Sequence, residues 1–297
     1  MMKGLNRWIA IGVAAVLLIG ALSIDPVRSL AADVLQVFRV KQAKVVRFDP
    51  AEIQQLADAL KASGQKIDLD SFGRFEKGSL NDSALVDAGT VTISGTRIAI
   101  PEVIGDYRRD GAVQLSQGQR LSVTPKVEGI NSFLAGLGST TPLPDSLNGR
   151  TFTLEMPGVV SATFTVPGTD DRLSLRRSLS PSLTVPAGVD VEQVRSALLS
   201  IPVLPDGMRS TLAGIDISGG TMLIPDFGLA SHGGSVKDVS VNGAAGVLLT
   251  LLEQDAAAGG AALAGRNLLI WAHDGIWNCL GGDFTLAQGL TLAAALE

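Results

Sequence analysis

Residues Leu269–Leu280 read LIWAHDGIWNCL, and the Asp274-Gly275 pair at their centre decides how the C-terminal part of the chain folds. Asp-Gly between two alternating apolar runs is a two-residue hairpin signal, because both turn positions need positive φ. Such a turn fixes register. It pairs His273 with Ile276, Ala272 with Trp277, Trp271 with Asn278 and Ile270 with Cys279. Alternation then puts Leu268, Ile270, Ala272, Trp277 and Cys279 on one face, nearly all apolar and expected to be core. The other face carries Trp271, His273, Ile276 and Asn278. It is mixed and reads as a groove or a wet surface.

Working outward, Asn242-Gly243 repeats the signal between Val236–Val241 and Ala245–Leu252. Thr285 with Gln288 opens a terminal helix carrying Leu286, Leu290 and Ala294. Thr221–Ile224 reads as a strand. Asp190 and Asp206 open two short helices, the second over Asp206–Ile215, separated by Ile201-Pro202-Val203-Leu204-Pro205. Thr184-Val185-Pro186 reads as an edge strand. The polar stretch Thr169–Pro181 marks the expected boundary between a first extracytoplasmic α+β half, 41–180, and a C-terminal α+β domain, 181–297.

In the first half, Ala43–Phe48 reads as a strand. Asp49-Pro50-Ala51-Glu52 opens a helix with a stripe of Ile53, Leu56, Ala57 and Leu60, closed by Gly64. Ile67–Asp82 reads as loop, Val91–Ile100 as one strand, Ala112–Val123 as another, and Ile130–Leu137 as a short helix. Thr151–Met156 and Ser161–Val166 are expected to pair across Pro157-Gly158. The fold class is α+β, built on antiparallel hairpins with packed helices.

Trp8–Ile24 (WIAIGVAAVLLIGALSI) carries no charge and follows Lys3 and Arg7. As a helix it spans roughly 25 Å, against a bilayer core of about 30 Å. It reads as a single transmembrane anchor in the cytoplasmic (inner) membrane. Residues 1–7 form a cytoplasmic stub, and the C-terminal region lies outside. The rival reading is a cleaved signal peptide, with small residues at Ala21 and Ser23. Asp25-Pro26 looks like a cap and first-turn proline, and Val27, Leu30, Ala31, Val34, Leu35 and Phe38 follow at helical spacing. That favours an uncleaved anchor continued by a membrane-proximal amphipathic helix over 25–40.

Composition narrows the function. A net charge of −5, with no basic cluster larger than Arg108-Arg109 or Arg176-Arg177, argues against nucleic acid. The single cysteine, Cys279, leaves no internal disulfide and reads as an inert core thiol. At 4% aromatics, sugar-stacking platforms and aromatic cages are disfavoured.

The search for chemistry assigns no catalytic, cofactor-binding or metal-binding residue, and no cofactor. His273 sits at a hairpin turn and His232 in Ser231-His232-Gly233-Gly234-Ser235. A Ser-His-Asp arrangement of Ser231 or Ser235, one of these histidines and Asp274 has no nucleophile-elbow motif beside it. Asp68-Leu69-Asp70-Ser71-Phe72-Gly73 starts like a calcium loop, but Phe72 and Ser79 stand where oxygen ligands and a bidentate glutamate are needed.

Three segments carry a resemblance: Leu35–Val40 (LQVFRV); Val194–Pro205 (VRSALLSIPVLP) with Ile215 and Thr221–Pro225 (TMLIP); and Val239–Val247 (VSVNGAAGV) leading to Leu269–Leu280 and the final helix. Together they resemble an uncharacterised bacterial family of single-pass membrane proteins. Its C-terminal domain of unknown function also occurs in extracytoplasmic anti-sigma-factor-type regulators. That domain is similar in architecture to lipoprotein-carrier-like folds, with a curved antiparallel sheet and helices in or beside its concave face. The resemblance implies no catalytic residues. Where the family carries an acidic, tryptophan-containing stretch, this chain has Asp216-Ile217-Ser218-Gly219-Gly220.

The expectation is a non-enzymatic, membrane-anchored extracytoplasmic protein that binds a protein partner in the envelope or an apolar ligand, in sensing or regulation. The alternative is an apolar-ligand or lipoprotein carrier using a concave sheet. An envelope hydrolase is the remote alternative.

Overall fold

A computed structural model describes residues 36–39, 42–47, 49–64, 68–189, 191–213, 221–226, 234–251 and 267–296. The anchor expected at Trp8–Ile24, and residues 25–35 and 40 of the helix expected after it, lie outside the described residues. Among those described, no helix is long and apolar enough to cross a membrane.

The first strands are β1 (Gln36–Arg39), β2 (Gln42–Arg47), β3 (Gly73–Leu80), β4 (Ser83–Leu85), β5 (Thr90–Ile93), β6 (Thr96–Ala99), β7 (Val103–Ile104), β8 (Tyr107–Ser116) and β9 (Gly118–Pro125). They are followed by β10 (Phe152–Met156), β11 (Val159–Thr165), β12 (Arg172–Leu179), β13 (Ser182–Val185), β14 (Thr221–Asp226), β15 (Ser235–Val241), β16 (Ala244–Thr250), β17 (Asn267–His273) and β18 (Ile276–Gly282). The helices are α1 (Pro50–Ala62), α2 (Leu69–Phe72), α3 (Val127–Gly136), α4 (Val191–Leu199), α5 (Asp206–Ala213) and α6 (Leu286–Ala294).

The fold is α+β with mostly antiparallel sheets, the largest curled into a half-barrel. Its eight strands run β15-β16-β17-β18-β12-β11-β8-β7. A five-stranded sheet runs β1-β13-β10-β9-β3. Three pairs of consecutive strands, β8–β9, β10–β11 and β12–β13, each leave one sheet and enter the other. The sheets therefore meet along a corner that the chain crosses three times. Alternation carries through each crossing. Leu173, Leu175 and Leu179 lead to Leu183 and Val185, while Ser174 and Ser178 lead to Ser182 and Thr184. The apolar side of one sheet continues into the apolar side of the other.

The large core lies on the concave side of the half-barrel. Val160, Ala162, Phe164, Leu173, Leu175, Val241, Leu248, Leu269, Trp271 and Leu280 line it, with Phe284 and Ala293 from the C-terminal segment. Helix α6 runs across this side, in contact with β15 at one edge and placing Leu292 beside Gly105 in the β7–β8 turn at the other. A capping box of Thr285 and Gln288 starts α6, as expected. A second cluster, Val127, Leu134, Leu143, Leu147, Val194 and Ala197, joins α3 and α4 against Phe152 on the five-stranded sheet.

Several expectations hold in position and register. Asp49 caps α1 by accepting from Ala51 N at 2.8 Å, and β15 and β16 pair around Asn242-Gly243. The β17–β18 ladder pairs His273 with Ile276, Ala272 with Trp277, Trp271 with Asn278 and Ile270 with Cys279.

Others are corrected. Gln36–Arg39, expected within the helix over 25–40, is strand β1 and pairs with β13 from Gln36↔Val185 to Arg39↔Ser182. The unpaired backbone edge of β13 supplies hydrogen bonds that a local helical pattern does not reveal. For the same reason β13 is not an edge strand, since it lies between β1 and β10. The stretch expected as loop over Ile67–Asp82 contains α2 and β3. Strand β3 is an edge strand exposed at Arg74, Phe75, Glu76 and Lys77, so it shows no apolar alternation. Val91–Ile100 is a hairpin, not one strand. Ser94 and Gly95 turn at φ 47° and 81°, which brings Val91, Ile93, Ile98 and Ile100 to the same side. Thr151–Met156 and Ser161–Val166 do not pair. Pro157-Gly158 is a corner, with β10 joined to β9 and β13 and β11 joined to β8 and β12. Finally, the stretch Thr169–Pro181 contains β12, a central strand. The half-barrel thus takes four strands from each side of residue 180.

Candidate functional site: the concave face and its flap

Strands β4, β5 and β6 form a small sheet of their own. This flap docks on the concave face through side chains. Val91, Ile93 and Ile98 are fully buried there within the half-barrel core, and Ile100 nearly so.

Polar contacts fix the flap at both ends. At its base, the Asp82 carboxylate accepts from Gly118 N at 3.3 Å and Gly158 N at 3.2 Å, joining the flap to two of the corner crossings. At its far end, two arginines converge on successive carbonyls. Arg177 Nη1 donates to Ala99 O at 2.8 Å, and Arg109 Nη1 donates to Ile100 O at 3.1 Å. Arg177 comes from β12 and faces Val160 on β11; Arg109 comes from β8 and faces Phe164. Four residues of β11, roughly 13 Å of strand, separate the two positions.

Arg177 belongs to a polar row inside an apolar face. The ladder sets Arg177 opposite Asn278, and Asn278 opposite Trp271. Arg177 Nε donates to Asn278 Oδ1 at 2.9 Å. Burial pushes the Arg177 guanidinium below its usual range. Arg109, by contrast, lies 3.9 Å from Glu102 Oε1. The Trp271 and Trp277 indole N–H groups are both buried and find no acceptor among the described residues.

The two faces of the β17–β18 hairpin are therefore both buried, and the larger core lies on the face expected to be mixed. Trp271 is fully buried and Asn278 nearly so. Trp277 and Ala272 join Val236 and Val247 in a smaller cluster on the opposite side, and β2 lies close to β15, β16 and β17. A hydrophobic count of one hairpin cannot reveal that another layer covers each side.

The residues weighed for chemistry are scattered. His273 is half exposed, with Nε2 at 3.5 Å from Asp274 Oδ2. Ser235 starts β15 opposite Thr250, which faces Asn267 at the far end of β17 from His273. Six residues of strand, roughly 20 Å, part this serine from that histidine. Ser231 and His232 lie outside the described residues. Asp68 caps the short helix α2, its side chain accepting from Asp70 N at 3.2 Å. Burial pushes the Cys279 thiol up to about 11, which keeps it protonated and a poor nucleophile at neutral pH.

Sequence reasoning passed over Arg177, Arg109 and Asp82. A signal for Arg177 exists: in Leu173-Ser174-Leu175-Arg176-Arg177-Ser178-Leu179 the arginine occupies an inward position of an alternating strand. Comparison with protein families, curated proteins and solved structures finds no match.

Proposed function

We propose that this chain is a non-enzymatic, membrane-anchored extracytoplasmic protein that binds a protein partner or an apolar ligand in envelope sensing or regulation. One observation carries the reading. The curled sheet holds a separate apolar piece of the same chain in its concavity, an arrangement suited to gripping something. The charge-free run Trp8–Ile24 behind Lys3 and Arg7 supports the anchor, and the resemblance of the C-terminal segments supports the link to envelope regulation. A carrier is the second reading. It is favoured by the flap's docking through side chains and a few polar clasps, with no strand ladder to either large sheet.

Extraction of the full chain from membranes, followed by native mass spectrometry, tests the proposal. We expect a bound protein or a bound apolar molecule at about one per chain. Hydrolytic turnover that is lost in His273→Ala with the fold intact would overturn the non-enzymatic reading.

A further inference from the structure

We infer that the concave face beneath the flap is a binding site for a single-chain amphiphile with an anionic head, its head pairing with Arg177 and its chain replacing the inward side chains of the flap. This rests on the apolar-ligand half of the function proposed above.

Three observations converge on it. First, the occupant of the concavity is already chain-like. Val91, Ile93, Ile98 and Ile100 form a continuous apolar strip along a two-stranded ribbon, buried in the same cluster as Val160, Phe164, Leu173 and Leu175. An alkyl chain of about the length of a dodecyl group offers comparable apolar surface and needs no backbone hydrogen bonds.

Second, the strip belongs to a sheet that shares no ladder with the half-barrel. Lifting its far end about the Asp82 base breaks side-chain contacts and the two arginine–carbonyl bonds, while the Asp82 and Ser83–Gln117 contacts at the base and every strand pair of the large sheets stay in place.

Third, Arg177 is a partly buried cation whose described partners are neutral: the Asn278 amide oxygen and the Ala99 carbonyl. Cations taken out of water are ordinarily paired with an anion. A guanidinium has five N–H donors in a planar fork. If the Ala99 carbonyl departs with the flap, Nη1 is released beside Nη2, and that edge matches a carboxylate or phosphate head. Asn278 keeps Nε in place, so the fork stays aimed during the exchange. Arg109 performs the latching task without this vacancy, because Glu102 already lies near it.

The test is equilibrium dialysis of labelled dodecanoate, dodecyl phosphate and dodecanol against the full chain held in amphipol, with an amphipol-only blank. It is accompanied by amide hydrogen exchange across Val91–Ile100. We expect one anionic amphiphile per chain, bound about 10- to 100-fold more tightly than dodecanol, the gain of a charge-assisted pair. Exchange in Val91–Ile100 should accelerate when it binds, and Arg177→Gln should bring the anion down to the level of the alcohol. The anion-to-alcohol ratio on the unsubstituted chain decides the matter even if Arg177→Gln fails to fold. A preference for dodecanoate over dodecyl phosphate, or the reverse, identifies the head group. Equal binding of anion and alcohol overturns the role of Arg177 but leaves an apolar-ligand protein. No binding, with the flap exchanging independently of the rest, overturns the ligand class and leaves the protein-partner reading. No binding, with the flap exchanging only on global unfolding, removes the apolar-ligand reading as well.

Discussion

Asp274-Gly275 and Pro157-Gly158 look alike in sequence, each a glycine-containing pair between two alternating strands, yet they do opposite things. The first folds the chain back on itself. The second sends it onward into another sheet. The glycines differ in what they supply. Gly275 sits at φ 76°, and a Cβ added there would meet nothing within 4 Å, so it serves for conformation alone. Gly158 lies outside the positive-φ region. A Cβ there would meet the Ser116 carbonyl oxygen at 2.7 Å and Ser83 Oγ at 2.6 Å, so it serves for close approach. One glycine answers to its own backbone and the other to its neighbours.

The largest expected effect tests which side of the hairpin faces the main core. Trp271→Ala should cost about 3–5 kcal/mol in urea unfolding, since the ring is fully buried in the larger cluster. A smaller loss than for Trp277→Ala would reverse that ranking of the two faces.

Next comes the corner. Gly158→Val should cost about 3 kcal/mol, because the Ser116 backbone cannot yield as a side chain could. Asparagine there should be as harmful as alanine, because a taste for positive φ gives no relief from a steric clash.

At the hairpin turn the pattern inverts. Gly275→Val should cost about 1–2 kcal/mol through backbone strain, whereas Gly275→Asn should cost under about 1 kcal/mol because asparagine tolerates positive φ. If asparagine rescues both sites, or neither, the distinction drawn between the two glycines fails.

The smallest effect belongs to His273. Its replacement by alanine should change stability by under about 0.5 kcal/mol, as for an exposed position free of packing demands.

This contrast also explains how much was legible in the sequence. Hairpin turns, caps and register are local, and they were readable at Asp274-Gly275, Asn242-Gly243, Asp49 and Thr285. The corner crossings were not, because what distinguishes Gly158 is Ser83 and Ser116, distant in sequence. Ser94-Gly95 was readable in principle: a two-residue turn reverses which residues point inward, so Val91 and Ile98 share a side only if the chain folds back between them. Strand β3 was invisible because an exposed edge has no buried side to betray it. Of the candidate site, only Arg177 left a mark, as a charge in a leucine-bearing register. Arg109 and Asp82 act through backbone groups brought close by the fold, and such partners leave no pattern of spacing.

The order of strands in the half-barrel has a further consequence, in time. Strand β12 forms one ladder with β11, a few residues earlier, and the other with β18, about 100 residues later, which is a large loop to close before any reward arrives. While the chain is being made, β12 must wait with one hydrogen-bonding edge bare until residues up to Gly282 have appeared. A nascent chain in that condition is open to mispairing with its neighbours. The step that completes the fold is therefore the late seating of β18 between β12 and β17, and any factor that guards the growing chain would have to hold that gap open until then.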